Sequence, residues 1–310
     1  HPFFFGDELI AYELASNNAS FSSVFQALNA YKPRLVFNGI GALLAKFEAA
    51  RLTHAMLVAA CMAWINMLIF TVARYQFNAS RMLAWLLVLC VLSSRYGFML
   101  YFDYLSGLIE TLGSALFLST LLLAWLAYRK EFNSWFAAGA LVTAIITGLV
   151  HERYVVGLLA IGCVIMIIEC LGASAKRRMG IVTWALALGF VPLIFYWLAG
   201  KAFGALPITT VGGDQRISLG TDTLWTALTY SYNLLGGNYG HEWYWGRYNH
   251  LHPMGRLIGL LTAFATMSMM VVVFIRKGFA EHSRWVTLGL GAVIVAFIAV
   301  ASLAGTVEQV

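Results

Sequence analysis

Charge is what this 310-residue chain has least of: Asp, Glu, Lys and Arg make up only 11% of it. A soluble domain carries about 25%, so this chain cannot cover a globular surface with polar groups. Cysteine and proline are scarce as well, at four and five residues. Cys61, Cys90, Cys163 and Cys170 all lie in apolar runs, with no zinc-type spacing and no pair in an aqueous loop. They read as small buried apolar side chains. The sequence has no phosphate-cradling glycine loop, no nucleotide-binding pattern and no Ser/His/Asp arrangement, which excludes a recognisable cytosolic catalytic domain. It has no internal repeat or low-complexity linker either, so residues 1–310 are expected to form one domain.

What is present is apolar. Hydrophobic residues make up 61% of the chain, and the mean hydropathy is +0.77. A bilayer core of about 30 Å needs about 20 apolar residues per helical span. Apolar stretches of that kind run over 52–73, 82–100, 105–128, 135–150, 155–171, 180–199, 256–275 and 285–304. The expected fold is therefore all-α, a polytopic transmembrane bundle of about eight spans. Ten Trp and 14 Tyr suit anchoring at the headgroup level.

The few charges are sorted by loop. The segments 74–81, 129–131, 174–179 and 276–284 hold ten of the 20 basic residues and only two acids, Glu131 and Glu281. Short basic loops stay in the cytosol, and each of these is separated from the next by two spans. Residues 1–51, 95–104, 151–154 and 200–255 then lie on the outer face. The formal net charge of +6 thus reflects membrane anchoring, and no nucleic-acid partner is expected. Within residues 1–51 we read two short interfacial helices. The first runs from about Asp7 to Ala15. The second runs from about Phe21 to Tyr31, with Phe21, Val24, Phe25 and Leu28 on one face and Pro33 as its stop. Residues 52–199 and 256–304 supply the spans, and 200–255 form an outer loop. The chain opens at His1 and Phe3-Phe4-Phe5, and we expect at least one span to precede it in the full protein.

Five groups of residues can carry chemistry. Asp7 and Glu8 open a helix at the outer surface, where a carboxylate can deprotonate a hydroxyl, bind a divalent cation or simply cap the helix. The sequence identifies no particular cofactor, and a divalent cation is the one metal use these acids suggest. Lys32 and Arg34 flank Pro33 and can meet lipid headgroups or grip a phosphate. His151-Glu152-Arg153-Tyr154 interrupts two spans at their outer ends, where polar groups must face a cavity or one another. The alternatives there are a structural ion pair with another span and a phosphate-binding arginine oriented by an acid and a histidine. Arg95, Asp103 and Glu110 form the fourth group. Glu110 shares a helix face with Asp103 and needs a water-filled cavity or a partner such as Arg95 or Arg153. The fifth is the aromatic run from His241 and Glu242 to His252, a platform for a sugar or lipid substrate or an interfacial anchor.

The layout resembles the polytopic C-type glycosyltransferases, which use polyprenyl-phosphate-linked sugars. In that family a first span leads into an outer loop that opens with one or two acids, followed by interfacial helices and a basic-proline element. Phe5-Gly6-Asp7-Glu8 and Tyr31-Lys32-Pro33-Arg34 stand in those places, and the likeness extends over roughly residues 1–200. Within residues 1–310 no large soluble C-terminal domain is expected, and His151-Glu152-Arg153 matches no family signature. The resemblance implies a transferase of the bacterial inner membrane working on the periplasmic face. Its partners would be a polyprenyl-phosphate sugar donor, a glycan, lipid or protein acceptor, and membrane lipid. In that scheme Asp7, assisted by Glu8, activates the acceptor. Lys32, Arg34, Arg95 and Arg153 neutralise the donor phosphate. Asp103, His151, Glu152, Tyr154, His241 and Glu242 orient the substrate or the cations. Two competing readings are an O-antigen-type polysaccharide polymerase or ligase, and a non-enzymatic lipid or glycan transporter. The inner halves of the spans carry few ionisable groups apart from Glu169, which argues against a transport path.

Overall fold

The computed structural model describes residues 20–44, 50–75, 78–93, 106–129, 132–172, 175–205, 216–217 and 307–308. The chain falls into two compact units, His1–Pro207 and Ile208–Val310. In the second unit, the described residues form a two-residue antiparallel pairing of β1 (Arg216–Ile217) with β2 (Val307–Glu308).

The described part of the first unit is helical throughout: α1 (Phe21–Tyr31), α2 (Leu35–Leu44), α3 (Ala50–Tyr75), α4 (Arg81–Ser93), α5 (Ser106–Arg129), α6 (Ser134–Gly148), α7 (Glu152–Gly172) and α8 (Ala175–Phe203). Local chemistry sets several boundaries. Ser20 caps α1, its Oγ accepting from the Ser23 amide at 3.2 Å. Pro33 has no amide hydrogen to give and disfavours helix at the residue before it, so α1 stops at Tyr31. Asn133 caps α6 through the Trp135 and Phe136 amides at 3.0 and 3.4 Å. Gly204, at φ 62°, closes α8, and the next amide reaches back to the Gly200 carbonyl at 2.9 Å.

Among the described residues, three helices are long and apolar enough to cross a membrane: Leu52–Tyr75, Gly107–Tyr128 and Met179–Phe203, of 24, 22 and 25 residues. At about 1.5 Å per residue each exceeds 30 Å. Shorter apolar helices cover Leu35–Leu44, Ser134–Gly148 and Tyr154–Cys163. Met56, Met67, Trp85, Leu89, Phe190, Ile194 and Trp197 are exposed, a surface that suits lipid and would be a liability in water. The sequence boundaries agree with α1 and α3 to within a few residues and place α5 to α8. The second expected span, 82–100, is represented by α4, and its remainder lies outside the described residues. So do the first interfacial helix, residues 7–15, and the last two spans. Helix α2 is a correction to the two-helix reading of residues 1–51. Asn38, Gly39 and Gly41 weaken its helical signal, and its ten residues are too few to suggest a span.

Packing joins α7 to α8, α5 to α6, α3 to α5 and α6 to α8, with α1 resting on α2 and α8. Val58, Met62 and Ile65 of α3 meet Leu108 and Ala115 of α5 and Leu44 of α2 in one buried cluster. Helices α7 and α8 approach closely through their backbones. A Cβ on Gly162 would stand 2.5 Å from the Ala185 carbonyl oxygen, and one on Gly189 would stand 3.2 Å from the Leu159 Cα. Small residues let membrane helices approach in this way, so that dispersion forces hold them together. Gly162→Ala is expected to destabilise the protein by about 3 kcal/mol, because backbone must retreat. Gly180→Ala, with open space at its Cβ, should be neutral or slightly stabilising. Thermal unfolding in detergent checks the contrast, and equal melting of the two variants would contradict it.

Candidate functional site

The site is built where the α1–α2 loop meets the α6–α7 turn. The loop is held by buried amides. Asn38 donates from Nδ2 to Asn29 Oδ1 at 3.0 Å and to the Lys32 carbonyl at 2.9 Å, and Asn29 Nδ2 donates to the Phe25 carbonyl at 2.9 Å. Pro33 is fully buried, and a Cβ on Gly200 of α8 would lie 3.7 Å from its ring. The Val36 amide donates to the Leu149 carbonyl at 3.1 Å, which ties the loop to the turn. Lys32 and Arg34 therefore project from a fixed backbone rather than from a loose one.

On the other side, only Leu149, Val150 and His151 separate α6 from α7. Glu152 is the first residue of α7, where the helix dipole favours a carboxylate. Its two oxygens collect the cations of the loop. Arg34 Nε donates to Oε2 at 2.8 Å and Arg34 Nη2 to Oε1 at 2.7 Å. Lys32 Nζ donates to Oε1 at 3.1 Å. This is a bidentate guanidinium–carboxylate pair with an added ammonium. His151 lies beside it, with Nδ1 3.3 Å from Glu152 Oε2 and Nε2 3.3 Å from Arg34 Nη2. Arginine can only donate, so Nε2 accepts and the Nδ1 proton points to the carboxylate. Burial alone would raise the Glu152 carboxyl. The Arg34 hydrogen bond, the His151 ring and the charges of Arg34 and Lys32 outweigh burial together and hold it well below the usual carboxylate range. Glu152 is thus ionised at neutral pH.

A second polar group lies next to the first. The Tyr154 hydroxyl is 3.1 Å from Ser114 Oγ, donates to the Glu110 carbonyl at 3.2 Å and lies 3.4 Å from Glu110 Oε2. Its ring fills the space over Gly113, where a Cβ would collide with it. The His151 ring stands edge-on to Tyr154, with centroids 6.3 Å apart. Glu110 is buried, and Tyr154 is a partner for it that the sequence reading did not name.

Lys32, Arg34, His151 and Glu152 are therefore brought together, and Tyr154 with Glu110 adjoins them. Arg153 falls in the first turn of α7. Asp7, Glu8, Arg95, Asp103, His241 and Glu242 lie outside the described residues. Sequence reasoning missed Tyr196, a buried residue of α8 within electrostatic reach of Glu152 and Arg34. It also missed Asn29 and Asn38, which fix the loop. An aromatic in a span and two amides near a helix end carry no local mark of such a task. Among the described residues no group of three His, Cys, Asp or Glu side chains is placed to hold a metal ion. Chemically, the arrangement gives two cations to one carboxylate at the ends of apolar helices, a setting suited to an anionic headgroup. No family model matches the chain, and neither does a curated protein or a solved structure.

Proposed function

We propose that this chain is a membrane glycosyltransferase that moves a sugar from a polyprenyl-phosphate donor to an acceptor hydroxyl at the outer face of a bacterial inner membrane. The reading includes a bundle of about eight spans and the family likeness of Phe5-Gly6-Asp7-Glu8 and Tyr31-Lys32-Pro33-Arg34. The observation that carries it is the meeting of Lys32 and Arg34 with His151 and Glu152, all four on segments that the charge pattern assigns to one side. A donor on that side must arrive as a lipid phosphate, because nucleotide sugars stay in the cytosol.

In this reaction Asp7, assisted by Glu8, takes the proton of the acceptor hydroxyl. The oxygen forms a bond to the anomeric carbon as the bond from that carbon to the phosphate oxygen breaks. The electron pair leaves with the polyprenyl phosphate. Arg34, Lys32, Arg95 and Arg153 neutralise the charge that develops there, and stabilisation of this kind is commonly the largest catalytic contribution. His151, Glu152 and Asp103 orient the cations, while Tyr154, His241 and Glu242 shape the sugar and acceptor side.

The test is donor dependence. Membranes containing the full-length protein are given radiolabelled sugar either on a polyprenyl phosphate or on a nucleotide. Transfer from the lipid-linked donor alone is expected. Transfer directly from the nucleotide sugar, or from neither donor, would overturn the proposal, as would cysteine labelling that places position 151 in the cytosol.

A further inference from the structure

We infer that Glu152 is a built-in competitor for the phosphate: its carboxylate occupies the edge of Arg34 that a phosphate monoester anion needs, so the anion binds by exchange with it. The inference rests on reading Lys32 and Arg34 as the cations that receive the donor phosphate.

The geometry is that of one anion on a fork. Arg34 offers Nε and Nη2 along one edge, and the two oxygens of Glu152 meet them at 2.8 and 2.7 Å. Two oxygens of a phosphate present the same spacing to the same edge. Lys32 Nζ, at 3.1 Å from Oε1, adds a third donor to whichever anion is there. A phosphate monoester carries more charge than a carboxylate and gains more from two cations.

The exchange leaves Glu152 with one hydrogen-bond donor, His151. The loop that carries both cations is fixed by Asn29, Asn38 and the Val36 amide, so the receptor half of the site keeps its shape. Glu152 is joined to its helix by a flexible side chain. His151 Nδ1 lies 3.3 Å from Oε2, and its hydrogen stays with the carboxylate as the guanidinium is given up. Glu152 thereby sets how tightly the site holds phosphate, so that the product polyprenyl phosphate is released instead of being retained. His151 acts as a positioning residue in this scheme.

The experiment measures binding of farnesyl phosphate to the full-length protein in detergent. Farnesol serves as the tail-only control and inorganic phosphate as the headgroup-only control. Glu152→Gln keeps the shape and removes the competing charge, and is expected to tighten farnesyl phosphate binding about tenfold. In an Arg34→Gln background the same substitution should give no gain. A gain that persists there would be a through-space charge effect and would overturn the exchange. If Glu152→Gln does not fold, Glu152→Asp keeps the charge but shortens the reach, and should also bind more tightly than wild type. Wild-type binding with no gain in either variant overturns the exchange and leaves the donor-phosphate reading standing. No binding in any form overturns both. Equal, Glu152-sensitive binding of inorganic phosphate supports the exchange, assigns the ligand to free phosphate and removes the lipid-donor reading.

Discussion

Membranes carrying Asp7→Asn are expected to transfer sugar at least about 100-fold more slowly than wild type, with expression and insertion unchanged. Asparagine matches aspartate in size and still hydrogen-bonds, but it cannot take the proton that the acceptor hydroxyl must lose. A positioned general base commonly contributes about 10²- to 10⁴-fold, and a hydroxyl is a poor nucleophile without one. The loss should fall on kcat, with little change in donor KM, because in the proposed scheme Asp7 acts on the acceptor and not on the phosphate. Glu8→Gln should lose less. Initial rates of label transfer at saturating donor decide the matter. Full activity in Asp7→Asn would remove the base from the scheme. If Arg34→Ala abolished activity in the same assay, the polymerase or ligase reading would take its place.

Arg34→Ala is expected to cost about 3 kcal/mol of stability, and Lys32→Ala about 1 kcal/mol. The two cations share one carboxylate, yet their situations differ. Arg34 keeps 12% of its side-chain surface and reaches both oxygens of Glu152; Lys32 keeps 24% and reaches one. Removing one partner of a buried pair generally costs 3–5 kcal/mol, because the remaining charge is left desolvated. Here Lys32 remains to meet Glu152, which places the cost near the lower end. Arg34→Lys should rescue little, since a single ammonium cannot span the two oxygens. Combining Arg34→Ala with Glu152→Ala should be less damaging than the sum of the two, because the guanidinium and the carboxylate leave together and the partly exposed Lys32 alone loses its counter-charge. Thermal unfolding of the purified proteins measures all of these. Equal losses for Arg34→Ala and Lys32→Ala would show that the bidentate contact carries no special weight.

The elements of the first unit were largely legible because their signals are local. Pro33 ends α1 by backbone chemistry, and the long apolar runs of α3, α5 and α8 need no partner to be recognised. Helix α2 escaped because its Asn-Gly-Ile-Gly stretch mimics a loop. The site was legible in its parts but not in its pairing. Lys-Pro-Arg and His-Glu-Arg-Tyr each stood out as polar groups between apolar runs. Nothing in either segment says that Arg34 closes on Glu152, 118 residues later. That contact follows from how α1 rests on α8 and how the Val36 amide finds Leu149. The partner of Glu110 shows the same limit. A buried acid suggests an arginine, but a tyrosine lying over Gly113 reaches it first.

The order of the two halves has a consequence during synthesis. The basic half of the site leaves the ribosome first, and its acidic complement follows 118 residues behind. At about 5–20 residues per second, this delay is on the order of ten seconds. Throughout that interval the nascent chain holds an ammonium and a guanidinium whose eventual counter-ion has not been translated. Solvent, anionic phospholipid or acids already translated, such as Glu48, must balance them in the meantime. Chains arrested shortly before residue 152 are therefore expected to hold acidic lipid more tightly than chains a few dozen residues longer.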